Sequence, residues 1–334
     1  MLPEGAAEAI CVRYNLGEPT APPRSVAGGF IHRLYRLETT TGTFAVKWLN
    51  PEIMRYENIY DNLRRSEAIA AEFASAGVPA VLALDAPGGT VQDFDAVTVI
   101  VYPWHEGKVL PKSAASPEEA YQIGVILGRM HALNLPGGAS PEPPPAREPM
   151  AEEPWMSLVR RGQEQQAGWM SAVGASLPDL FVWNRDRIAA DAALPQTLVL
   201  SHCDLDQKNV IWQNSHMPLL LDWESAGLTS PNAEIIGAAL DWSGQSAGPP
   251  NHAAFAAVFA GYRQHMNFDP HTALPLMRSR LGGWIDWLAA SMNRSLDSEA
   301  TSGEKTEGTR ETLGTLATMY ALADGMEHWA KWCD

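Results

Sequence analysis

Two aspartates and an asparagine stand at the ends of short apolar runs within residues 200–224, LSHCDLDQKNVIW…LLLDWE. The run TLVL at 197–200 leads into Ser201, His202, Cys203, Asp204, Leu205, Asp206, Gln207, Lys208 and Asn209. A second run, Val210-Ile211-Trp212, follows; Asn214-Ser215-His216 has turn composition; Leu219-Leu220-Leu221 ends on Asp222. Apolar segments that terminate in such groups within one hairpin point to chemistry. Phosphoryl transfer needs a divalent cation held by hard oxygen ligands and a carboxylate that takes the proton of the attacking hydroxyl. Asp204 suits the second role, and Asn209 with Asp222 suits the first. A cation must also offset the charge on the phosphates. Lys47 lies within TFAVKWL at 43–49, a strand-like run in which a lysine needs a partner. Glu67 is its natural counterpart.

These groups need elements to position them. Residues 31–38 and 43–49, with Thr40-Thr41-Gly42 between them, read as a hairpin, preceded by a glycine-containing loop at 24–30 (RSVAGGF). A helix is expected over about 55–76, closed by Gly77. Ile59, Leu63, Ala70 and Ala74 fall on one stripe at helical spacing, and Glu67 lies on the same stripe. Glu57 and Glu72 are alternative partners for Lys47 but lie off it. Further strands are expected at 80–85 and 96–102. Pro103-Trp104-His105-Glu106-Gly107 then breaks the pattern and sets a lobe boundary. Beyond it the chain turns helical, with a helix from Ser116 to about Leu133, a Pro-rich loop at 136–150 and two helical stretches in 151–190. From about 232 the chain again reads as helical, with a polar interruption at 301–309. The expected lobes are therefore 1–103, a small sheet with one helix, and 104–334, mostly helical.

Composition narrows the function classes. The 334 residues carry 24 basic and 39 acidic side chains, a formal charge of −15, which argues against a nucleic-acid-binding face. Three dispersed cysteines form no CxxC pair, so neither a zinc site nor a disulfide framework is indicated, which suits a reducing cytoplasm. The first residues have no long apolar run and do not read as a signal peptide. No stretch approaches about 18 uninterrupted apolar residues, so no membrane partner is expected.

The pattern H-x-D-x4-N followed by a short hairpin to Asp resembles the aminoglycoside phosphotransferase and choline kinase group of the protein-kinase-like superfamily. AVKWL is similar to that family's third-strand lysine segment, SEAIAAEF to its carboxylate-bearing helix, VYPWHEG to its hinge, and LGRMHAL to a helix that recurs in it. The likeness runs from about residue 24 to 245. It implies an α+β, two-lobed fold: a small N-terminal antiparallel sheet with one helix, then a larger, mostly helical lobe. It also implies a nucleotide-binding role for 1–103 and a catalytic and substrate-binding role for 104–334, with a helical insertion at about 151–195. It implies Asp204 as catalytic base, Asn209 and Asp222 as Mg²⁺ ligands, and Lys47 on the α/β-phosphates of ATP or GTP, paired with Glu67. Ser25, Gly28 and Gly29 would lie over the phosphates, and Val101, Tyr102 and Trp104 would meet the purine at the hinge.

There are departures from the family pattern. Cys203 replaces the more usual Gly or Arg and reads as a packing residue. Asp206 stands where protein kinases place a lysine, and Trp223-Glu224 follows Asp222 in place of Phe-Gly. No activation loop or Ala-Pro-Glu segment is seen, which argues for a small hydroxyl-bearing substrate. His202 reads as structural, Lys208 as a solvated turn residue, and His131 as packing. Glu224 is open to a role in orienting Asp222 or a second metal's water. Trp155, Trp169 and Trp183 are open to core packing or ligand stacking. Glu234 and Asp241 are open to capping, packing or contact with substrate amines. Three functions are compatible with these features. They are an antibiotic phosphotransferase, a metabolic kinase for choline, homoserine, methylthioribose or a sugar, and an inactive kinase-like binding module. The intact set of Lys47, Asp204, Asn209 and Asp222 argues against the last.

Overall fold

The structure is a computed structural model. It describes residues 2–26, 32–113, 115–136, 151–194, 197–213, 217–298 and 300–333. Gly28 and Gly29, the turn at 214–216 and nearly all of the Pro-rich loop lie outside the described residues. The chain forms two compact units. One comprises Met1–Leu110, Leu133–Glu142 and Val199–Leu228; the other comprises Pro111–Ala132, Pro143–Leu198 and Thr229–Asp334. The sequence boundary at 103–104 divides the chain by position. In the structure the segment with Asp204, Asn209 and Asp222 instead groups with the N-terminal sheet.

In the first unit, α1 (Ala6–Tyr14) precedes β1 (Arg24–Val26), β2 (Arg33–Glu38) and β3 (Thr43–Trp48). Then come α2 (Ile59–Ser75), β4 (Val91–Phe94), β5 (Val97–Pro103) and the short β6 (Lys108–Val109). The main sheet is antiparallel with order β1-β2-β3-β5-β4. Strand alternation gives it two buried faces. Tyr35, Leu37, Val46, Val99 and Val101 pack on Ala7, Ile10, Cys11 and Tyr14 of α1. Leu49, Val91 and Ile100 pack on Leu63 of α2. The sequence reading expected one helix beside this sheet; α1 is a second. Its signal is the spacing of Ala7, Ile10, Cys11 and Tyr14, an apolar stripe at helical period.

The segment 80–85 is not a strand. The Val81 N–H donates to Leu220 O at 2.9 Å and the Leu84 N–H to Val101 O at 2.7 Å. Its donors thus serve two different elements and no ladder forms. The true partner of β5 on that side is β4, joined to it by a tight turn. The unit is completed by β7 (Val199–Ser201), β8 (Val210–Trp212) and β9 (Pro218–Leu220), with order β6-β8-β9 in the second sheet.

The second unit is helical: α3 (Pro117–Leu133), α4 (Glu152–Glu164), α5 (Met170–Ala193), α6 (Pro231–Trp242), α7 (His252–Tyr262), α8 (Ala273–Leu296) and α9 (Ser302–Trp329). Ser116 and Glu119 cap α3 reciprocally, Glu119 N–H to Ser116 Oγ at 3.2 Å and Ser116 N–H to Glu119 Oε2 at 2.8 Å. The stretch 301–309 is not an interruption but the start of α9, opened by a Thr301/Glu304 capping box. Trp155 and Trp169 are buried, and the Trp169 indole donates to Ser295 Oγ at 2.7 Å. Trp183 packs edge-on against Tyr320. Among the described residues, no helix is long and apolar enough to cross a membrane.

Close approach of α3 and α7 rests on absent side chains. A Cβ at Gly124 would sit 2.0 Å from Val258 O, and one at Gly261 2.1 Å from Tyr121 O. Gly124→Ala gains up to about 1 kcal/mol of helix propensity. Overpacking against immovable backbone costs about 1–3 kcal/mol or more, so net destabilisation is expected. Gly314→Ala, with nothing within 4 Å of the added carbon, should gain the propensity term alone. Thermal unfolding of the two variants should therefore shift in opposite directions.

Candidate active site

The hairpin β8–β9 explains how residues 209 and 222 meet. Val210, Trp212 and Leu220 are at most 1% exposed, so burial fixes the strands. Antiparallel register pairs Val210 with Leu220, which sets the residue before β8 beside the residues after β9. The Leu221 N–H accordingly donates to Asn209 O at 2.8 Å, and Asp222 follows at the same end.

Asn209 turns its amide toward Asp204: Nδ2 donates to Asp204 Oδ2 at 2.9 Å and to Asp204 O at 2.8 Å. The amide oxygen is left as the donor atom for a metal. Lys208 Nζ binds Asp204 Oδ2 at 3.0 Å and Asp206 Oδ2 at 2.9 Å. It is half exposed, yet tied to both carboxylates rather than simply solvated. Flanking carboxylates hold its pKa above the usual lysine value, overcoming a burial penalty that acts the other way. Asp206 itself caps the turn by accepting the Lys208 N–H at 3.0 Å.

His202 is a brace. Its Nε2 donates to Leu221 O at 2.8 Å, while Nδ1 accepts the Asp204 N–H at 3.3 Å. Its ring lies 4.6 Å from that of Trp223, which stacks on Phe73 of α2 at 5.5 Å. Cys203 has φ 64° and Asp222 φ 56°, both left-handed, a costly conformation for residues with a Cβ. The Cys203 thiol donates to Gly227 O at 3.4 Å, in keeping with a packing role.

Lys47 projects from β3 with its side chain 12% exposed. Its ammonium lies 2.8 Å from Asp222 Oδ1 and 2.5 Å from Glu224 Oε1. Burial alone would lower its pKa, but the two carboxylates outweigh burial and raise it. The expected pairing with Glu67 is replaced. Glu67 is buried on the inward stripe, as periodicity indicates, but it accepts from Tyr102 OH at 2.5 Å and from the Ala83 N–H at 3.3 Å. Two nearer donors satisfy it, and burial still raises its pKa. The other carboxylate on Lys47, Glu224, is also bound by His32 Nε2 at 3.1 Å. Burial would raise the Glu224 pKa; the His32 hydrogen bond and Lys47 bring it down to about 2.

The remaining expected contacts are more dispersed. Ser25 is exposed on edge strand β1, opposite Tyr35. Val101 is fully buried and its carbonyl accepts the Leu84 N–H; the Trp104 N–H donates to Thr43 O at 3.0 Å. Two main-chain groups expected to read a purine are thus already engaged. The Tyr102 side chain is spent on Glu67, and the Trp104 ring stacks under the Arg36 guanidinium at 4.9 Å. Glu234 is bound by the buried His131 at 2.9 Å, and Asp241 takes both oxygens to Arg280 at 2.7 Å. His32 is the functional candidate that sequence reasoning missed. Its signal was position: it directly precedes β2 at the end of the glycine-containing segment.

The donor set fits a hard cation. Asp222 and Glu224 already converge on the positive charge of Lys47, and Asn209 adds an amide oxygen at the same end of the hairpin. Among the described residues no cluster of three His, Cys, Asp or Glu side chains forms a ready-made metal cage. Mg²⁺ shared with substrate phosphates needs only one or two protein carboxylates.

The model of the phosphotransferase enzyme family matches residues 23–268, and the chain belongs to that family. It is a small-molecule phosphotransferase with a protein-kinase-like fold. The fold is similar to spectinomycin phosphotransferase in complex with ADP and spectinomycin, at 13% identity and TM-score 0.71, over 97% of this chain and 99% of that one. It is also similar to amicoumacin kinase in complex with AMP-PNP, Ca²⁺ and Ami (12%, TM-score 0.61, 93% of both chains). A choline/ethanolamine kinase family protein from Mesorhizobium loti is comparably similar (16%, TM-score 0.62, 99% of this chain and 98% of that one). No curated protein matches the chain significantly.

The Glu224 shift has a pH consequence. Its folded pKa of about 2 lies below the ordinary 4.5, so the stability it contributes is fully present above pH 4.5 and is lost as pH falls toward 2. Glu224→Gln should remove that dependence. Urea unfolding between pH 5 and 2.5 should show a shallower acid decline in the variant than in the wild type.

Proposed function

We propose that this protein transfers the γ-phosphate of ATP or GTP to a hydroxyl of a small antibiotic-like natural product, with Mg²⁺, in a reducing cytoplasm. The observation that carries the reading is the convergence of Asp204, Asn209 and Asp222 at one end of the β8–β9 hairpin, with Lys47 of β3 in the main sheet bound to Asp222. Asp204 accepts the proton of the acceptor hydroxyl as its oxygen attacks the γ-phosphorus in line; the bond to the β-phosphate oxygen breaks and the nucleoside diphosphate leaves. Asn209 and Lys208 hold the Asp204 carboxylate in place during this step. Asp222 and Asn209 would hold Mg²⁺, which supplies charge neutralisation on the phosphates when bound. Lys47 offsets the charge that builds on the transferred group.

The antibiotic reading is supported by neighbours whose names carry spectinomycin, amicoumacin and macrolide phosphotransfer. Glu234 is already hydrogen-bonded to His131 and Asp241 is ion-paired with Arg280, so a cationic acceptor would compete with a bound side chain at either. This favours acceptors recognised through hydroxyls over polycations. A metabolic acceptor such as choline is the second reading, favoured by the similarity to the choline/ethanolamine kinase family protein.

A phosphate-transfer screen of antibiotics and small alcohols with ATP and with GTP tests the proposal, and transfer to choline or homoserine alone would overturn the antibiotic reading. Asp204→Asn should lower kcat by about 10³-fold or more, removing general-base catalysis and the carboxylate that orients the hydroxyl, with nucleotide affinity nearly unchanged. Asp222→Asn should instead abolish the Mg²⁺ dependence of nucleotide binding, measured by calorimetry with and without EDTA. Substantial turnover in the first variant, or undiminished Mg²⁺ dependence in the second, would refute the assigned roles.

A further inference from the structure

The position of Lys47 rests on two carboxylates, and one of them is itself held. Glu224 uses Oε1 for Lys47 and Oε2 for His32. His32 is 6% exposed. Its Nδ1 accepts the Asn50 N–H at 2.9 Å, so the ring hydrogen lies on Nε2, pointing at Glu224. Asn50 stands three residues after Lys47 at the exit of β3. The ring therefore bridges the strand that carries the lysine and the carboxylate that receives it. Glu67, by contrast, is bound to Tyr102 and Ala83. If Asp222 turns to a metal, as the proposed function requires, Glu224 is the remaining carboxylate on Lys47.

We propose that His32 is a positioning residue: it locks Glu224 in the orientation that holds Lys47 ready for the nucleotide phosphates. This rests on the phosphotransfer reading for its purpose, but its geometry is testable without it.

In nucleotide-free protein, acetic anhydride labelling of Lys47, read by peptide mass spectrometry against the exposed Lys331, should be slow. It should rise several-fold in His32→Leu and in Glu224→Gln. His32→Gln, which retains one donor and one acceptor, should stay near the wild-type rate. The double variant His32→Leu/Glu224→Gln should label no faster than Glu224→Gln alone, because the two residues act in series. In turnover, His32→Leu should raise the nucleotide KM about tenfold, the loss expected for a hydrogen bond to a charged group, with the acceptor KM unchanged. Should His32→Leu fail to fold, the Glu224→Gln and His32→Gln arms still decide, together with ¹⁵N spectra of His32, which must show the Nε2–H tautomer. Unchanged Lys47 labelling in a folded His32→Leu protein, multiplicative effects in the double variant, or an Nδ1–H tautomer would overturn the proposal. A protein with the expected labelling pattern that binds no nucleotide would reject the phosphotransfer reading while supporting His32 as the residue that positions Lys47.

Discussion

A lysine ammonium buried between two carboxylates is the constraint around which the first unit is arranged. An isolated charge at 12% exposure would be costly, and Lys47 is tolerated because Asp222 and Glu224 stand within 2.8 and 2.5 Å. Such a cluster is asymmetric in energy. Replacing it whole by apolar groups can be neutral, whereas deleting one member strands a charge at a cost of about 3–5 kcal/mol. It therefore specifies structure more than it stabilises it. Three distant stretches of chain, at 32, 47–50 and 222–224, must arrive in register for it to close. A nucleotide phosphate needs the same preorganised positive charge.

Aiming Asp222 at this cluster requires strain. Its left-handed backbone, and that of Cys203 beside Asp204, each cost about 1–2 kcal/mol relative to a right-handed conformation. The stack of Phe73, Trp223 and His202 offsets that cost, since Trp223 is 2% exposed and aromatic burial contributes several times the strain of one residue. His202 performs two tasks in this stack. It presents an apolar face to Trp223 and spends both ring nitrogens on the backbone around Asp204 and Leu221. The residue after the aspartate thus secures the geometry of the aspartate itself.

Much of this was legible because it depends on short-range regularities. The spacing from Asp204 to Asn209 and on to Asp222 is set by a hairpin, and hairpin register follows from alternation. The helix at 59–75 and its inward glutamate follow from period 3.6. Three elements were misread for definable reasons. The α1 stripe is short, Ala7, Ile10, Cys11 and Tyr14, and mixes small and polar-tipped side chains, so its apolar contrast is weak. The segment 80–85 has strand composition, but its N–H groups serve Leu220 and Val101 separately. The box Thr301-x-x-Glu304 opens α9, yet polar composition made it resemble a loop.

Partner choice was less legible than position, because periodicity states which way a side chain faces and not which donor it meets first. Glu67 faces inward as expected, but Tyr102 OH and the Ala83 N–H reach it before Lys47 does. Glu234 and Asp241 are likewise taken by His131 and Arg280. In each case a buried or partly buried carboxylate accepts the donor that fold geometry brings nearest, since an unpaired one would be penalised. The same rule explains why Glu224 acquired the part that sequence assigned to Glu67. It lies two residues beyond Asp222, on a turn whose backbone is already fixed, so its reach to Lys47 needs no further ordering of the chain. His32 then takes the oxygen that Lys47 leaves over, and the carboxylate nearest the lysine is also the one with the least freedom to leave it.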